Sequence, residues 1–170
     1  MSYTNLIVGG NSKFGQILRE YLPGNYLDRK QFDLFKPNFE TFDNLSVEHV
    51  IFLAKSRSRD FREVGKVCDT VFSLLDKIDY KHAWVFTSGM GTYSGSDNDQ
   101  HLIYSAEKML INFISYKKNF SQHRIHVIHP GHMDQIDVYR NMVQKFLLLL
   151  DEPPSENLIW YLPEQKYIPF

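Results

Sequence analysis

Leu6-Ile7-Val8-Gly9-Gly10-Asn11-Ser12-Lys13-Phe14-Gly15 decides how this chain is read. An apolar run stops at two glycines. Around Gly15 an amphipathic pattern begins, with Phe14, Ile17, Leu18, Tyr21 and Leu22 at helical spacing before Pro23-Gly24. The pattern predicts a strand, a tight turn and a helix. Such turns suit phosphate, because glycines let the backbone approach a pyrophosphate whose charge meets the free N–H groups and positive end of the following helix. Gly9, Gly10 and Gly15 hold those positions, and Asn11, Ser12, Lys13 and Phe14 complete the loop that would touch such a ligand.

Outward from this turn, strand and helix patterns alternate. Residues 25–27 predict a second strand ending at Asp28-Arg29, and residues 31–35 a short third strand almost at once. Residues 47–54 form an apolar run fit for a buried strand, ended by the basic stretch 55–59. Asp60 is placed to cap a helix in which Val64, Val67, Cys68, Val71, Phe72, Leu75 and Ile78 recur at the helical period. Residues 83–86 predict a strand entering the loop Thr87-Ser88-Gly89-Met90-Gly91, and residues 104–120 a helix. A strand at 125–128 stops at Pro130-Gly131, a long helix spans 136–150, and 157–162 adds a final edge strand. This alternation predicts an α/β fold, a doubly wound parallel sheet covered on both faces, with ligands at the carboxyl ends of the strands.

With 170 residues, 43% of them apolar, the chain suffices for one well-buried core, so residues 1–170 are expected to form a single domain. A net charge of −1 argues against a nucleic-acid partner, which calls for a basic excess. The single cysteine, Cys68, forms no internal disulfide, and no basic-apolar leader precedes the first strand, so a cytoplasmic location is expected. The longest apolar run, at 146–150, is far below the roughly 20 residues that span a bilayer, and no membrane partner is expected.

Tyr104-Ser105-Ala106-Glu107-Lys108 carries the chemistry. Residues four apart share one helix face, so the spacing predicts that the Lys108 ammonium can sit near the Tyr104 phenol and lower its pKa from about 10 toward the range of a general acid/base. This YxxxK motif, following the loop with Ser88, resembles the short-chain dehydrogenase/reductase family. The glycine turn, the Asp28-Arg29 pair, residues 50–54, the 85–91 loop and His129-Pro130-Gly131 follow in that family's order. With little helix between the second and third strands, the chain is most similar to the extended, sugar-nucleotide-modifying branch.

The resemblance implies an NAD(P)-dependent oxidoreductase with Tyr104 as general acid/base, Lys108 tuning it, and Ser88, or Thr87 in its place, holding the substrate oxygen. It implies a dinucleotide on residues 9–15, Asp28, Arg29, Ala54, Lys55, Pro130 and Gly131, a small-molecule substrate, and a homodimer using faces near Phe72 and Phe113. Asp28 lies near the spacing of about 20 residues at which an acid contacts the adenosine ribose, which suggests NAD. Arg29 and Lys13, with Arg57 and Arg59 behind them, suggest NADP instead. A shortened relative acting as a dinucleotide-binding sensor, scaffold or accessory subunit is the alternative reading. His123, His126, His129 and His132 recur every three residues, a period that scatters them over both faces of a strand rather than gathering a metal site.

Overall fold

The computed structural model describes residues 4–54, 61–87, 124–131, 133–155 and 159–168. Among these, seven strands form one sheet in the order β2-β1-β3-β4-β5-β6-β7. The strands are β1 Asn5–Val8, β2 Asn25–Leu27, β3 Ser46–Phe52, β4 Asp79–Phe86, β5 Arg124–His129, β6 Ile159–Tyr161 and β7 Lys166–Ile168. The first six are parallel and β7 is antiparallel to β6. Helices α1 (Lys13–Leu18), α2 (Phe61–Lys77) and α3 (Ile136–Asp151) cover them. None of the described helices is long and apolar enough to cross a membrane.

Period-two alternation sorts the apolar residues into two layers. Leu6, Val8, Val50, Phe52, Ala83, Val85 and Ile125 face α2, whose Val67, Cys68, Val71, Phe72, Leu74 and Leu75 are buried against them. Ile7, Ile51, Trp84 and Ile128 face the other way, against Phe14, Ile17 and Leu18 of α1 and Met142, Val143, Phe146 and Leu150 of α3. Helices therefore lie on both faces, giving the three-layer αβα arrangement. Phe72 is buried within the chain, so it does not belong to an exposed subunit face.

The crossovers differ in hand. α1 carries the chain from β1 to β2 and α2 carries it from β3 to β4, in opposite directions over opposite faces, so these two share one hand. α3 lies on the face of α1 but carries the chain the other way, from β5 to β6. Nearly all parallel crossovers are right-handed, which makes the one through α3 the left-handed exception.

Residues 31–35 do not form the expected third strand. Asp28 Oδ1 accepts from the N–H groups of Lys30 and Gln31 at 2.8 and 3.1 Å, and Asp33 Oδ1 from Phe35 N–H at 2.9 Å. These aspartate-capped turns outcompete strand pairing. The alternation that suggested a strand serves packing: Phe32 and Leu34 are buried, and Phe32 meets Phe42 edge-on at 5.2 Å. Thr70 of α2 ties this segment down by donating its hydroxyl to Leu34 O at 2.8 Å.

Two other elements differ from expectation. The strand over 83–86 begins earlier, at Asp79, because its first half alternates exposed and covered positions and lacks the continuous apolar run. β6 is not the sheet edge: a turn at Leu162–Glu164, closed by Gln165 at φ 48°, returns the chain as β7.

Phe146 anchors the α1/α3 layer, with ring centroids 5.5 Å from Trp84, 5.0 Å from Phe86 and 6.0 Å from Phe14. Phe146→Ala should cost about 3–5 kcal/mol, read as a lower urea midpoint at unchanged slope.

Candidate dinucleotide site at the carboxyl edge of the sheet

β1 leads leftward to β2 and β3 leads rightward to β4, so the chain diverges between β1 and β3. Ligands of open α/β sheets bind in the crevice at such a point. A cavity of about 850 Å3 lies there. Gly9, Asn11 and Ser12 of the glycine turn line it, with Asp28 and Arg29 after β2, and Leu53 and Ala54 after β3.

The glycines are needed for close backbone approach. Gly9 has φ +88°, and a Cβ there would stand 2.5 Å from Ala54 N. The ends of β1 and β3 are joined at this place, since Val8 O accepts from Leu53 N–H at 2.8 Å and Ala54 N–H at 3.2 Å. On the β2 side, Leu27 O accepts from both Gly9 and Gly10 N–H at 3.0 Å. Gly10 packs on Tyr26, whose hydroxyl donates to Leu22 O at 2.8 Å and whose pKa burial pushes up to about 12. Gly15 lets α1 descend onto the turn, where a Cβ would lie 2.7 Å from Gly10 O.

Ser12 stands where glycine patterns of this kind often carry another glycine. Its backbone is extended, φ −63° and ψ 156°, and its hydroxyl accepts from Gly15 N–H at 3.0 Å as the cap of α1. Serine therefore sits there without strain and satisfies one helix-end donor. The N–H groups of Lys13 and Phe14, in the same first turn, point out of the helix end by its geometry.

Asp28 supplies a hydrogen-bonded carboxylate to the cavity. Its Oδ1 caps the following turn, and its Oδ2 accepts from Asn11 Nδ2 at 3.2 Å, which links the glycine turn to the end of β2. Arg29 lies beside it, 3.7 Å from Asp33 Oδ2 and 5.9 Å from the Phe35 ring. Lys13 is not in the lining: its ammonium lies over the Tyr139 ring of α3 at 4.9 Å. Phe14 is likewise turned into the α1/α3 core. Gly131, φ +76°, packs against Pro163, and neither it nor Pro130 borders this cavity.

Sequence reading missed part of the wall. Phe32, Leu34, Phe35 and Lys36 line the cavity, as do Glu63 and Lys66 of α2. Glu63 and Lys66 stand three apart, on one helix face, near the start of a helix that begins at the carboxyl edge. That spacing was a usable signal. Ser88, Tyr104, Lys108, Lys55, Arg57 and Arg59 lie outside the described residues, as do Asp60, Phe113, His123 and His132. Thr87 lies within them, buried, with its N–H on Ile128 O at 2.9 Å and no partner for its hydroxyl among the described residues.

The sequence itself matches no protein-family model and no curated protein. The fold does match solved structures. A carbonyl reductase from Pseudomonas aeruginosa PAO1 superposes with TM-score 0.70 at 12% identity, covering 100% of both chains. The chain has the short-chain dehydrogenase/reductase fold. Within that fold it is also similar to the putative carbonyl reductase Sniffer of Caenorhabditis elegans, with TM-score 0.65, 14% identity and 100% of both chains covered. A 3-alpha-hydroxysteroid dehydrogenase from Pseudomonas sp. B-0831, solved with NADH, gives TM-score 0.60 at 18% identity, covering 86% of this chain and 87% of that one.

Two glycines of this short-chain dehydrogenase/reductase fold should respond oppositely to alanine. Gly9→Ala places a Cβ against Ala54 backbone at positive φ and should lower the melting temperature by the equivalent of about 2 kcal/mol or more. Gly65→Ala, within α2 and with open space around the new methyl, should raise it by about 0.5–1 kcal/mol. Calorimetric melting of both variants checks the pair.

Proposed function

We propose that this chain is an NAD(P)-dependent oxidoreductase that interconverts an alcohol and a carbonyl. The observation that carries the reading is the cavity between β1 and β3, where the Gly9 turn, the head of α1 and the Asp28 carboxylate converge. Its volume suits a nucleotide half, and its donor set suits the parts of one. Gly9, Asn11 and Ser12 would border the pyrophosphate, Asp28 would accept from a ribose hydroxyl, and Phe32 and Phe35 would supply apolar wall to the base. Bound there, the nicotinamide would supply or take up the hydride.

The proton side of the reaction belongs to Tyr104, Lys108 and Ser88, on the strength of the YxxxK resemblance. Tyr104 gives its phenolic proton to the substrate oxygen, or takes it back in the reverse direction. Lys108 holds the phenol at a workable pKa, and Ser88 donates a hydrogen bond to the same oxygen. Between the two dinucleotides, the cavity's cations favour NADP. Lys36 and Lys66 line it without an ion-pair partner among the described residues, and Arg29 stands at its rim, 79% exposed along its side chain. For the substrate we favour a sugar nucleotide. The support is the stretch between β2 and β3, which carries only the short turn Glu40–Phe42 in place of a helix.

Titration by nicotinamide fluorescence tests the cofactor. NADPH should bind more tightly than NADH, and a Lys36→Ala/Lys66→Ala double variant should weaken NADPH about tenfold while leaving NADH unchanged, as expected for about 1.4 kcal/mol of phosphate attraction. A well-folded wild type that binds neither dinucleotide would sink the reading. With a panel of carbonyl compounds that includes sugar nucleotides, Tyr104→Phe should reduce kcat by a factor of about 100 or more with cofactor affinity intact. Full turnover by that variant would remove Tyr104 from the mechanism.

A further inference from the structure

At the amino-terminal half of the sheet, away from the cavity, three histidines and a tryptophan share the face covered by α1 and α3. His49 of β3 is register partner to His82 of β4, and Trp84 of β4 to His126 of β5. The rings stack: His49 on His82 at 5.6 Å, His82 on His126 at 5.3 Å, and Trp84 on His126 at 4.3 Å. Two polar contacts join the strands. Trp84 Nε1 donates to His49 Nδ1 at 3.1 Å, and His82 Nδ1 faces His126 Nε2 at 3.0 Å. His126 is 1% exposed, and its Nδ1 has no hydrogen-bond partner among the described residues.

We propose that this His49–Trp84–His82–His126 ladder is an acid-sensitive lock on the centre of the sheet. It joins β3, β4 and β5 while the imidazoles are neutral and releases them when they take up protons.

The geometry favours the neutral state. An indole N–H is a donor alone, so the Trp84 contact requires His49 to carry its proton on Nε2. A second proton, on Nδ1, would set two N–H groups against each other on a buried face. In the His82–His126 pair one nitrogen donates and the other accepts, so the pair takes one further proton at most before two donors oppose. A proton on His126 Nδ1 would have no acceptor.

The surroundings give a cation little help. Glu48 on β3 favours the charged form of His49 and His82, but it is itself bonded to Lys81 of β4 at 3.2 Å. Lys81 opposes protonation of His49 and His82, and Arg124 of β5 opposes that of His82 and His126. From β1 the register neighbour of His49 is the uncharged Asn5, whose Nδ2 donates to Pro23 O at 2.8 Å. From α3 the contact is the Phe146 ring, edge-on to Trp84. Burial holds His49 down to about 4 and His126 to about 3, with His82 also lowered.

Unfolded histidine titrates near 6.5, above these folded values. The stabilisation is therefore complete above about pH 6.5 and is lost as pH falls toward 4. Within that window each such histidine raises the unfolding constant about tenfold per pH unit, the effect of one proton taken up on unfolding. β3 also carries Leu53 and Ala54 into the cavity wall, so release of the lock dismantles the dinucleotide cavity from the opposite end of the strand.

The test is urea unfolding of the full chain, followed by far-ultraviolet circular dichroism at several pH values between 7.5 and 5.5, above the main carboxylate range. His49→Gln keeps an acceptor for the Trp84 indole but cannot take up a proton. Its unfolding constant should rise about tenfold less per pH unit below pH 6.5 than that of the wild type. Equal pH slopes for the two proteins would overturn the proposal. If His49→Gln does not fold, Trp84→Phe decides: it keeps an aromatic ring and removes the opposing donor. A shallower acid dependence than the wild type supports the lock, and an unchanged one refutes it.

Discussion

Where β1 ends, its backbone lies against the end of β3 so closely that no side chain fits between them. Gly9, at φ +88°, is the residue that permits this, with Ala54 N only 2.5 Å from where its Cβ would stand and Val8 O accepting from two successive N–H groups. Leu27 O closes the other side by accepting from Gly9 and Gly10. Three strand ends are thereby held largely by backbone, with the Asn11–Asp28 side-chain bond beside it. A cradle made of backbone has little side-chain freedom to lose when a ligand arrives, which is why such turns serve as preorganised phosphate sites.

From that point the two faces of the sheet do different work. The α2 face carries the larger share of the core and anchors residues 32–36, which bring Phe32, Phe35 and Lys36 to the cavity. The opposite face carries a compact aromatic cluster among its aliphatic residues. Phe14, Trp84, Phe86 and Phe146 form a mutually tilted cluster that fixes α1 against α3, and the histidine ladder continues it toward the amino-terminal strand ends. Edge-to-face contacts of this kind add about 0.5–1.5 kcal/mol each beyond their burial and specify orientation, which aliphatic packing does less well.

Charge is distributed in keeping with this division. Basic and acidic side chains gather at the carboxyl edge, where Asp28, Arg29, Asp33, Lys36, Glu63 and Lys66 surround one cavity. Inside the sheet the titratable groups include histidines kept neutral by burial, His129 among them, on the face opposite His126, with its pKa lowered to about 4. The three-residue spacing of the histidines thus separates His126 from His129 across the sheet, as strand alternation requires.

Local chemistry written into the sequence decided the order of elements. Glycine spacing, period-two and period-3.6 apolar patterns and the stop at Pro130-Gly131 located β1, α1, β2, β3, α2, β5 and α3, and placed Gly9, Ser12, Asp28 and Ala54 at strand ends. These signals are legible because each acts over a few residues. What needed the tertiary structure were the outcomes of competition between distant groups. Residues 31–35 have a strand's alternation, but aspartate-capped turns and the Thr70 tether won. Lys13 sits in the glycine turn by sequence, yet Tyr139, far along the chain, holds its ammonium away from the cavity. The meeting of His49, His82, Trp84 and His126 depends on strand register, which no local pattern records. Register and crossover hand are settled only when both layers of the core pack at once, because shifting any one strand by a residue would turn its buried face to the other side.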